Sequence, residues 1–276
     1  MCLQLNTARS SPITDAAIAT AHKQGVEVVY LQEPWVGEDE DGNTLTKSHP
    51  GYRKYLPLGQ GRPKTAVYVA KGTRACQKPI CSNNIVRITV RGVEIFNVYR
   101  ESRDKTTFTE IERHAKGGGK QLVVGDFNAR HQMWQPGAES TGIGSTIAHW
   151  ADRRGFDLWT EGRPTHDKGN TIDLTFARGL IGGAAEAEEW EAGSDHHPIR
   201  IAVANPTEEK SNRWKTFSVP DLDKFQAAVR AGKGDIPSIT DIEGLDIATT
   251  ALTDWLGAAI RAVGTVQGTG RSKRAG

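Results

Sequence analysis

Acidic residues, amides and a histidine pair occur in four short stretches that together predict chemistry on a phosphodiester. These stretches contain Glu33, Asp126 with Asn128, Asp173, and Asp195 with His196. Cleaving a phosphodiester requires neutralisation of the phosphate charge, usually by Mg²⁺ or Mn²⁺, and an activated, aligned water. Magnesium prefers carboxylates and other oxygen ligands. If folding brings these residues together, they predict a metal-dependent hydrolytic site.

Two of the stretches directly follow apolar runs that predict buried strands. Glu33 comes just after residues 28–31, and Gly125-Asp126 comes after residues 122–124. The spacing of Asp126 and Asn128 puts both side chains on one side of an extended segment, where one can align a water and the other can hold a phosphate. Each stretch alone also fits a simpler interpretation, a surface glutamate before a proline turn or an Asx turn.

A histidine partner is expected for Asp173. This residue alternates with Ile172 and Leu174 in a predicted strand, so an inward-facing Asp173 would be a buried carboxylate that needs a partner. His196 is the natural partner, because an Asp–His pair fixes the imidazole tautomer and raises its basicity. Asn6 and Tyr99 also end predicted strands, although isolated polar residues at such positions are more often structural.

The surrounding elements predict a two-sheet sandwich flanked by helices. Apolar or alternating runs predict strands at residues 3–6, 26–31, 52–58, 66–70, 84–90, 93–99, 121–124, 156–159, 171–176 and 199–203. Helices are expected from an N-cap at Ser11 to Gly25, over 108–116, and from an N-cap at Ser145 to Gly155. Only five residues precede Asn6, so we expect the first strand to pair weakly.

Bulk composition is that of a globular protein without extreme charge. The formal net charge is +2, with 25 Lys+Arg against 24 Asp+Glu before Pro206, and 10 against 9 after it. Any nucleic-acid surface must therefore be a local basic patch. Candidates for a basic groove beside the site are Arg9, Arg62, Lys64, Arg100, Arg103 and Arg130.

The cysteines indicate a reducing compartment, and the hydropathy pattern indicates a protein outside the membrane. The chain has three cysteines, Cys2, Cys76 and Cys81, which form no CxxC pair. No signal peptide is visible and no apolar run approaches the roughly 20 residues of a membrane span. We expect a soluble, intracellular, monomeric protein without membrane contact.

The charged residues 206–213 predict a linker between two parts of the chain. The expected domains are residues 1–205, which carry the candidate site, and residues 206–276. Within the second part, residues 221–230 and 242–263 predict amphipathic helices, and the Gly-rich basic residues 264–276 predict disorder.

In motif order, the chain resembles the endonuclease/exonuclease/phosphatase superfamily. The motifs are Gln4-Leu5-Asn6, Leu31-Gln32-Glu33-Pro34, Asn97-Val98-Tyr99, Gly125-Asp126-Phe127-Asn128, Thr171-Ile172-Asp173 and Ser194-Asp195-His196-His197-Pro198. The resemblance implies an α+β, four-layered αββα sandwich of the DNase I type, here with a short helical C-terminal extension.

The same resemblance implies a role for each motif residue. Glu33 would bind Mg²⁺ or Mn²⁺, with Asn6 and Asp195 nearby. Asp126 would orient or deprotonate the attacking water, Asn128 would help to hold it, and His196, held by Asp173, would stabilise the pentavalent phosphate. Tyr99 and Thr165 would touch the phosphate. Arg130 and Ser194 complete the expected substrate-binding residues.

Within the superfamily, the nearest resemblance is to endonuclease domains of non-LTR (LINE-like) retrotransposon polyproteins. Residues 5–10, Gln32-Glu33-Pro34-Trp35 and residues 125–134 carry it. It implies a Mg²⁺-dependent endonuclease that nicks DNA to 3′-hydroxyl and 5′-phosphate ends, with a nuclear location and a reverse transcriptase domain as partner. Two alternatives remain: a phosphatase acting on small phosphoesters, or a non-catalytic DNA-binding remnant of a retroelement.

Overall fold

The computed structural model describes most of the chain. The described residues are 1–116, 118–160, 163–180, 183–188, 193–203, 216–218, 221–232, 242–263 and 265–267. The chain divides into two compact units, Met1–Pro206 and Thr207–Gly276. The assignment of 1–205 and 206–276 as domains stays a prediction. None of the described helices is long and apolar enough to cross a membrane.

The described part of the first unit alternates short strands with three helices. In chain order its elements are β1 (Cys2–Asn6), α1 (Ser11–Lys23), β2 (Val28–Gln32), β3 (Val36–Glu38), β4 (Thr44–Thr46), β5 (Tyr52–Tyr55), β6 (Thr65–Ala70), β7 (Ala75–Lys78), β8 (Ile85–Val90), β9 (Val93–Tyr99), α2 (Thr106–His114), β10 (Gln121–Asp126), α3 (Gly142–Arg154), β11 (Asp157–Leu158), β12 (Asp173–Arg178), β13 (Gly183–Ala187) and β14 (Ile199–Val203).

Most of these strands form two six-stranded sheets. The first has the order β13-β14-β1-β2-β6-β5, and the second has the order β11-β12-β10-β9-β8-β7. The pairs β1–β2 and β9–β10 are parallel, and the other neighbours in both sheets are antiparallel. β3 and β4 form a separate hairpin. The ends of β1, β2, β9 and β10 therefore lie where polar residues of both sheets can meet.

Apolar side chains fill three interfaces and produce four layers. Between the sheets, Val28 and Tyr30 of the first pack with Val124 of the second. Ala17 and Ile18 of α1 cover the outer face of the first sheet, while residues of α2 and α3 cover the outer face of the second. The predicted four-layered αββα sandwich is confirmed.

The first strand pairs more extensively than its position near Met1 indicated. β1 pairs with β2 along all five residues, from Cys2 to Asn6, and with β14 from Cys2 to Gln4. The expectation of weak pairing is therefore wrong. Hydrogen bonds to neighbours on both sides give this short strand a central place in the first sheet, so Asn6 sits on a fixed backbone.

Two predicted helix N-caps are wrong. Ser10, not Ser11, caps α1, because its hydroxyl reaches the Ile13 N–H at 3.4 Å. α3 begins at Gly142, with Thr141 as the cap, three residues before the expected Ser145. The glycines in the first turn of α3 have low helix propensity, so the sequence did not predict that the helix begins there. The predicted C-cap Gly155 is confirmed, with a φ of 64°.

The second unit contains two helices and a small strand pair among its described residues. These elements are β15 (Thr216–Ser218), α4 (Leu222–Ala231), α5 (Ile242–Val263) and β16 (Thr265–Gln267). Asp221 caps α4 by accepting the Lys224 N–H at 3.0 Å, and the Trp255 indole donates to the Val229 carbonyl at 2.8 Å. Both helices were expected from the sequence. The predicted linker at 206–213 and most of the predicted tail at 264–276 lie outside the described residues.

Candidate active site

Strand register brings the predicted site residues to one end of the sandwich. Asn6 lies opposite Gln32 in the parallel pair β1–β2, and Glu33 follows at once. In the second sheet Asp126 lies beside Tyr99 on one side and beside Asp173 on the other. The two sets face each other across the sandwich, since Asn6 Nδ2 donates to Asp126 Oδ2 at 3.0 Å.

Two buried carboxylates flank the imidazole of His196. Nδ1 of His196 lies 2.8 Å from Asp173 Oδ2, and Nε2 lies 3.9 Å from Asp126 Oδ2. The exposed fractions of Asp126, Asp173 and His196 are 1%, 1% and 6%. Because an ionised carboxylate only accepts hydrogen bonds, the Nδ1–H of His196 donates to Asp173. The Nε2 edge of the ring then faces Asp126.

Burial and mutual charge give these groups unusual acidities. Burial, reinforced by the charge of Asp173, raises the pKa of Asp126 to about 7. For His196, burial favours the neutral ring, but the charge and hydrogen bond of Asp173, with Asp126 and Asp195, outweigh it and raise the pKa to about 9. Near neutral pH the site can thus hold a carboxylate able to take a proton beside a protonated imidazole.

Amide and backbone groups hold Asp126 in place. Its Oδ1 accepts the Asn128 N–H at 2.9 Å, and its Oδ2 also faces Asn128 Nδ2 at 3.3 Å. Asn128 has a φ of 44°, in the left-handed region that asparagine tolerates better than most residues. Gly125 allows the close approach of β10 to β9, because a Cβ there would lie 1.9 Å from the Val98 carbonyl oxygen. The Gly-Asp-x-Asn stretch therefore builds a rigid platform for one carboxylate.

Thr165 holds Asp173. Its hydroxyl donates to Asp173 Oδ2 at 2.9 Å and accepts the N–H groups of Ile172 and Asp173 at 3.0 and 3.1 Å. Its side chain is thus bonded within the protein, and its predicted contact with the phosphate stays a prediction.

Ser194 connects the His196 loop to β1. The Ser194 hydroxyl donates to the Asn6 carbonyl at 2.7 Å and accepts the His196 N–H at 3.2 Å. The contact fixes the loop at the end of β1, and a role for Ser194 in substrate binding stays a prediction.

Glu33 lies in a separate ionic cluster at the same end of the sandwich. Its carboxylate pairs with the guanidinium of Arg9, whose Nε donates at 2.9 Å. The hydroxyl of Tyr99 lies beside both groups, and burial together with the charge of Glu33 raises its pKa, so this hydroxyl stays a donor. Ala8, Arg9 and Glu33 all have positive φ values, which marks this junction as locally strained.

Asp195 lies at the rim, beside a histidine to which the sequence assigned no role. The side chain of Asp195 is 53% exposed, and its Oδ2 lies 3.5 Å from Nε2 of the buried His166. Among the described residues, two groups of His and carboxylate side chains are compact enough to hold an ion: His166, Asp195 and His196, and Asp126, Asp173 and His196. Glu33 belongs to neither group, and Asp195 belongs to the first. The predicted ion-binding roles of Glu33, Asn6 and Asp195 stay predictions.

Several residues proposed for a basic groove are buried or already paired. Arg100 is 1% exposed, and its guanidinium donates to the Phe127 and Asn128 carbonyls at 2.6 and 2.7 Å and to further carbonyls of its own loop. The expectation that Arg100 lines the groove is therefore wrong, because it is used to fix the Asp126 loop. Lys64 pairs with Glu101 and Arg62 with the Val36 carbonyl, whereas Arg130 is exposed.

Sequence reasoning gave no role to Gln4. Its Nε2 donates to Asp173 Oδ1 at 3.3 Å from a fully buried position on β1. The one available signal was the i, i+2 spacing of Gln4 and Asn6, which places both amides on the same face of a strand. His166 lacked even that signal, because its contact with Asp195 joins two loops.

One segment of the chain matches a known protein family. Residues 93–200 match the family described as "Endonuclease-reverse transcriptase", a segment that includes Asp126, Asp173 and His196. No individual curated protein sequence is significantly similar to the chain.

Solved structures share the fold. The endonuclease domain of TRAS1, a telomere-specific non-LTR retrotransposon, is 22% identical, with a TM-score of 0.62 over 73% of this chain and 96% of that domain. An AP endonuclease from Archaeoglobus fulgidus is 11% identical, with a TM-score of 0.50 over 73% of this chain and 98% of the other. At these identities the likeness concerns the fold. Together with the family match over residues 93–200 and the motifs, it confirms the predicted resemblance to the endonuclease/exonuclease/phosphatase superfamily.

Proposed function

We propose that this chain is a divalent-cation-dependent endonuclease that nicks DNA by hydrolysis and leaves 3′-hydroxyl and 5′-phosphate ends. The observation that carries the proposal is the buried Asp173–His196–Asp126 cluster, built from three remote stretches of the chain. A buried imidazole between two carboxylates has no evident packing purpose, since it costs desolvation free energy. It suits a reaction in which a proton moves and a phosphate gains charge.

Asp126 acts as the base toward the attacking water. With a pKa raised to about 7, its carboxylate can accept a proton near neutral pH, which an ordinary aspartate does poorly. Asn6 and Asn128 hold the carboxylate by donating to it, and the partly buried Asn128 also helps to hold the water. Fixed donors of this kind cost little reorganisation during the reaction.

His196 and Tyr99 stabilise the phosphate as its charge grows. His196 is protonated at neutral pH because its pKa is raised to about 9, and Asp173 fixes the ring so that Nε2 faces the reacting centre. Tyr99 supplies a neutral hydroxyl donor beside Glu33. Arg130, Thr165 and Ser194 are proposed to contact the substrate, with exposed Arg130 best placed to meet a neighbouring phosphate.

Three residues at this end of the sandwich are proposed to hold a hard divalent cation. Glu33, Asp195 and Asn6 offer carboxylate and amide oxygens, the ligands Mg²⁺ and Mn²⁺ prefer. Burial, with the charge of Asp173, raises the pKa of Asp126, and a cation bound nearby would favour its ionised form. When bound, such an ion supplies positive charge for the phosphate and the leaving oxygen.

The proposed biological setting comes from the comparisons. The match to an endonuclease–reverse transcriptase family and the likeness to a retrotransposon endonuclease domain support DNA as the substrate and target-primed retrotransposition as the process. A reverse transcriptase partner and a nuclear location belong to the same proposal.

A plasmid assay tests the proposed function. The full chain is incubated with supercoiled plasmid and Mg²⁺ at low salt, and the open-circular product is then treated with DNA ligase. We expect nicks that ligase seals directly, because they carry 3′-hydroxyl and 5′-phosphate ends. Asp126→Ala should slow nicking by about 10²–10⁴-fold. The matched control is Asp157→Ala, an exposed aspartate of β11 in the same sheet, which should nick normally.

Other outcomes would replace the proposal. Release of inorganic phosphate from small phosphoesters without nicking would identify a phosphatase. Retardation of DNA on gels without cleavage and without dependence on Mg²⁺ would identify a DNA-binding remnant. Equal nicking by wild type and Asp126→Ala would remove Asp126 from the mechanism.

A further inference from the structure

Gln4 lies directly beneath the catalytic cluster. It is two residues before Asn6 on β1, and both side chains project toward the second sheet, where Asn6 donates to Asp126 and Gln4 donates to Asp173. Its exposed fraction is 0%. One strand thus presents an amide to each of the two buried carboxylates.

The contact of Gln4 completes the set of donors around Asp173. The Nδ1–H of His196 and the Thr165 hydroxyl occupy Oδ2, at 2.8 and 2.9 Å. The Gln4 amino group faces the other oxygen, Oδ1, at 3.3 Å. Donors at both oxygens restrict rotation of the carboxylate about its bond to Cβ, and this rotation would otherwise turn Oδ2 away from the imidazole.

Burying the amide of Gln4 at this position has a free-energy cost. Its Oε1 is buried and has no hydrogen-bond partner among the described residues. A buried acceptor left unsatisfied costs about 1–3 kcal/mol, so an apolar side chain of the same size would fill the position at lower cost. The benefit of the amide is therefore its N–H contact with Asp173.

We propose that Gln4 is a positioning residue, which fixes the Asp173 carboxylate and through it the direction of the His196 ring. The proposal rests on the proposed nuclease function for its effect on rate. It concerns the reacting geometry, because the side chain of Gln4 makes no hydrogen bond to the predicted ion ligands Glu33, Asn6 and Asp195 in the described structure.

Gln4→Met tests the proposal, since methionine keeps the length of the side chain and removes the donor. Single-turnover nicking should slow by about 10–100-fold, the usual effect of removing a partner that orients an active-site ligand. The concentrations of DNA and Mn²⁺ that give half-maximal rate should stay within about twofold of wild type. Gln4→Glu, of the same shape, places a carboxylate against Asp173 and should slow nicking at least as much.

Thr175→Val is the matched control. Thr175 is the next inward-facing residue of β12 after Asp173, is fully buried, and has a hydroxyl without a hydrogen-bond partner among the described residues. The substitution also replaces a buried polar group by an apolar one, but it leaves Asp173 untouched. It should nick at the wild-type rate, and thermal denaturation should show all three variants folded.

A spectroscopic measurement separates this proposal from the nuclease function. The His196 Nδ1 proton, held by Asp173, should give a downfield proton resonance in wild type that shifts or broadens in Gln4→Met and persists in Thr175→Val. An unchanged resonance, a wild-type rate in Gln4→Met, or an equal loss in Thr175→Val would overturn the role of Gln4. If wild type nicks nothing, the nuclease proposal fails, and the resonance alone decides whether Gln4 positions Asp173.

Discussion

At the scale of single residues, the site separates the acidities of two groups that share one environment. Asp126 and His196 lie within 3.9 Å of each other, yet burial raises the pKa of the acid while the carboxylates raise that of the imidazole. Both shifts disfavour the state with two ionised carboxylates beside a neutral ring. The result is a base with a pKa of about 7 beside an acid with a pKa of about 9.

These acidities predict a bell-shaped pH dependence that changes in Asp173→Asn. The nicking rate should rise as Asp126 ionises near pH 7, and it should fall as His196 loses its proton near pH 9. A bound cation favours the carboxylate and would move the rise to a lower pH. Without the Asp173 charge, the pKa of His196 should drop, so the alkaline limb should move to lower pH. We also expect the maximal rate to be about 10²–10⁴-fold lower.

Single-turnover nicking from pH 5.5 to pH 10 measures both limbs. Asp157→Asn, which changes an exposed aspartate, serves as the control and should keep the wild-type profile. An alkaline limb at the same pH in Asp173→Asn and wild type would show that Asp173 does not set the acidity of His196.

At the scale of elements, strand ends and one glycine position the chemistry. The predicted strands were the long apolar runs, and their ends supplied Asn6, Tyr99, Asp126 and Asp173. The short strands β3, β4, β7 and β13 were not predicted, because few of their residues favour strands and several are exposed. The contacts of Gln4, Thr165 and Arg100 could not be predicted either, since they depend on packing between sheets and loops.

Gly125→Ala tests whether the close approach of β10 to β9 requires a glycine. The added Cβ would lie 1.9 Å from the Val98 carbonyl oxygen, and the φ of 150° is strained for alanine. We expect the free energy of unfolding in urea to fall by more than about 2 kcal/mol as β10 moves from β9. Gly142→Ala is the control, because it has open space at the start of α3 and alanine favours helices. Equal stability of Gly125→Ala and wild type would contradict the close approach.

At the scale of the whole molecule, the fold makes one site from residues nearly 200 positions apart. The four-layered sandwich and the resemblance to the superfamily could be predicted because motif order and strand pattern agree over most of the first unit. Charge distribution could not be read in the same way. The near-balanced composition does not indicate which Lys and Arg side chains are available to bind DNA. In the structure, Arg100 is buried, and Arg9 and Lys64 are paired with carboxylates.

The central claim is that Asp126 and His196 act as one catalytic unit within this site. A double-mutant cycle measures it directly, from the single-turnover nicking rates of wild type, Asp126→Ala, His196→Ala and the double variant. Because members of one unit are grossly non-additive, we predict that the double variant is at most about tenfold slower than the slower single variant. Losses that multiply as for independent residues, or a wild-type rate in either single variant, would contradict the account.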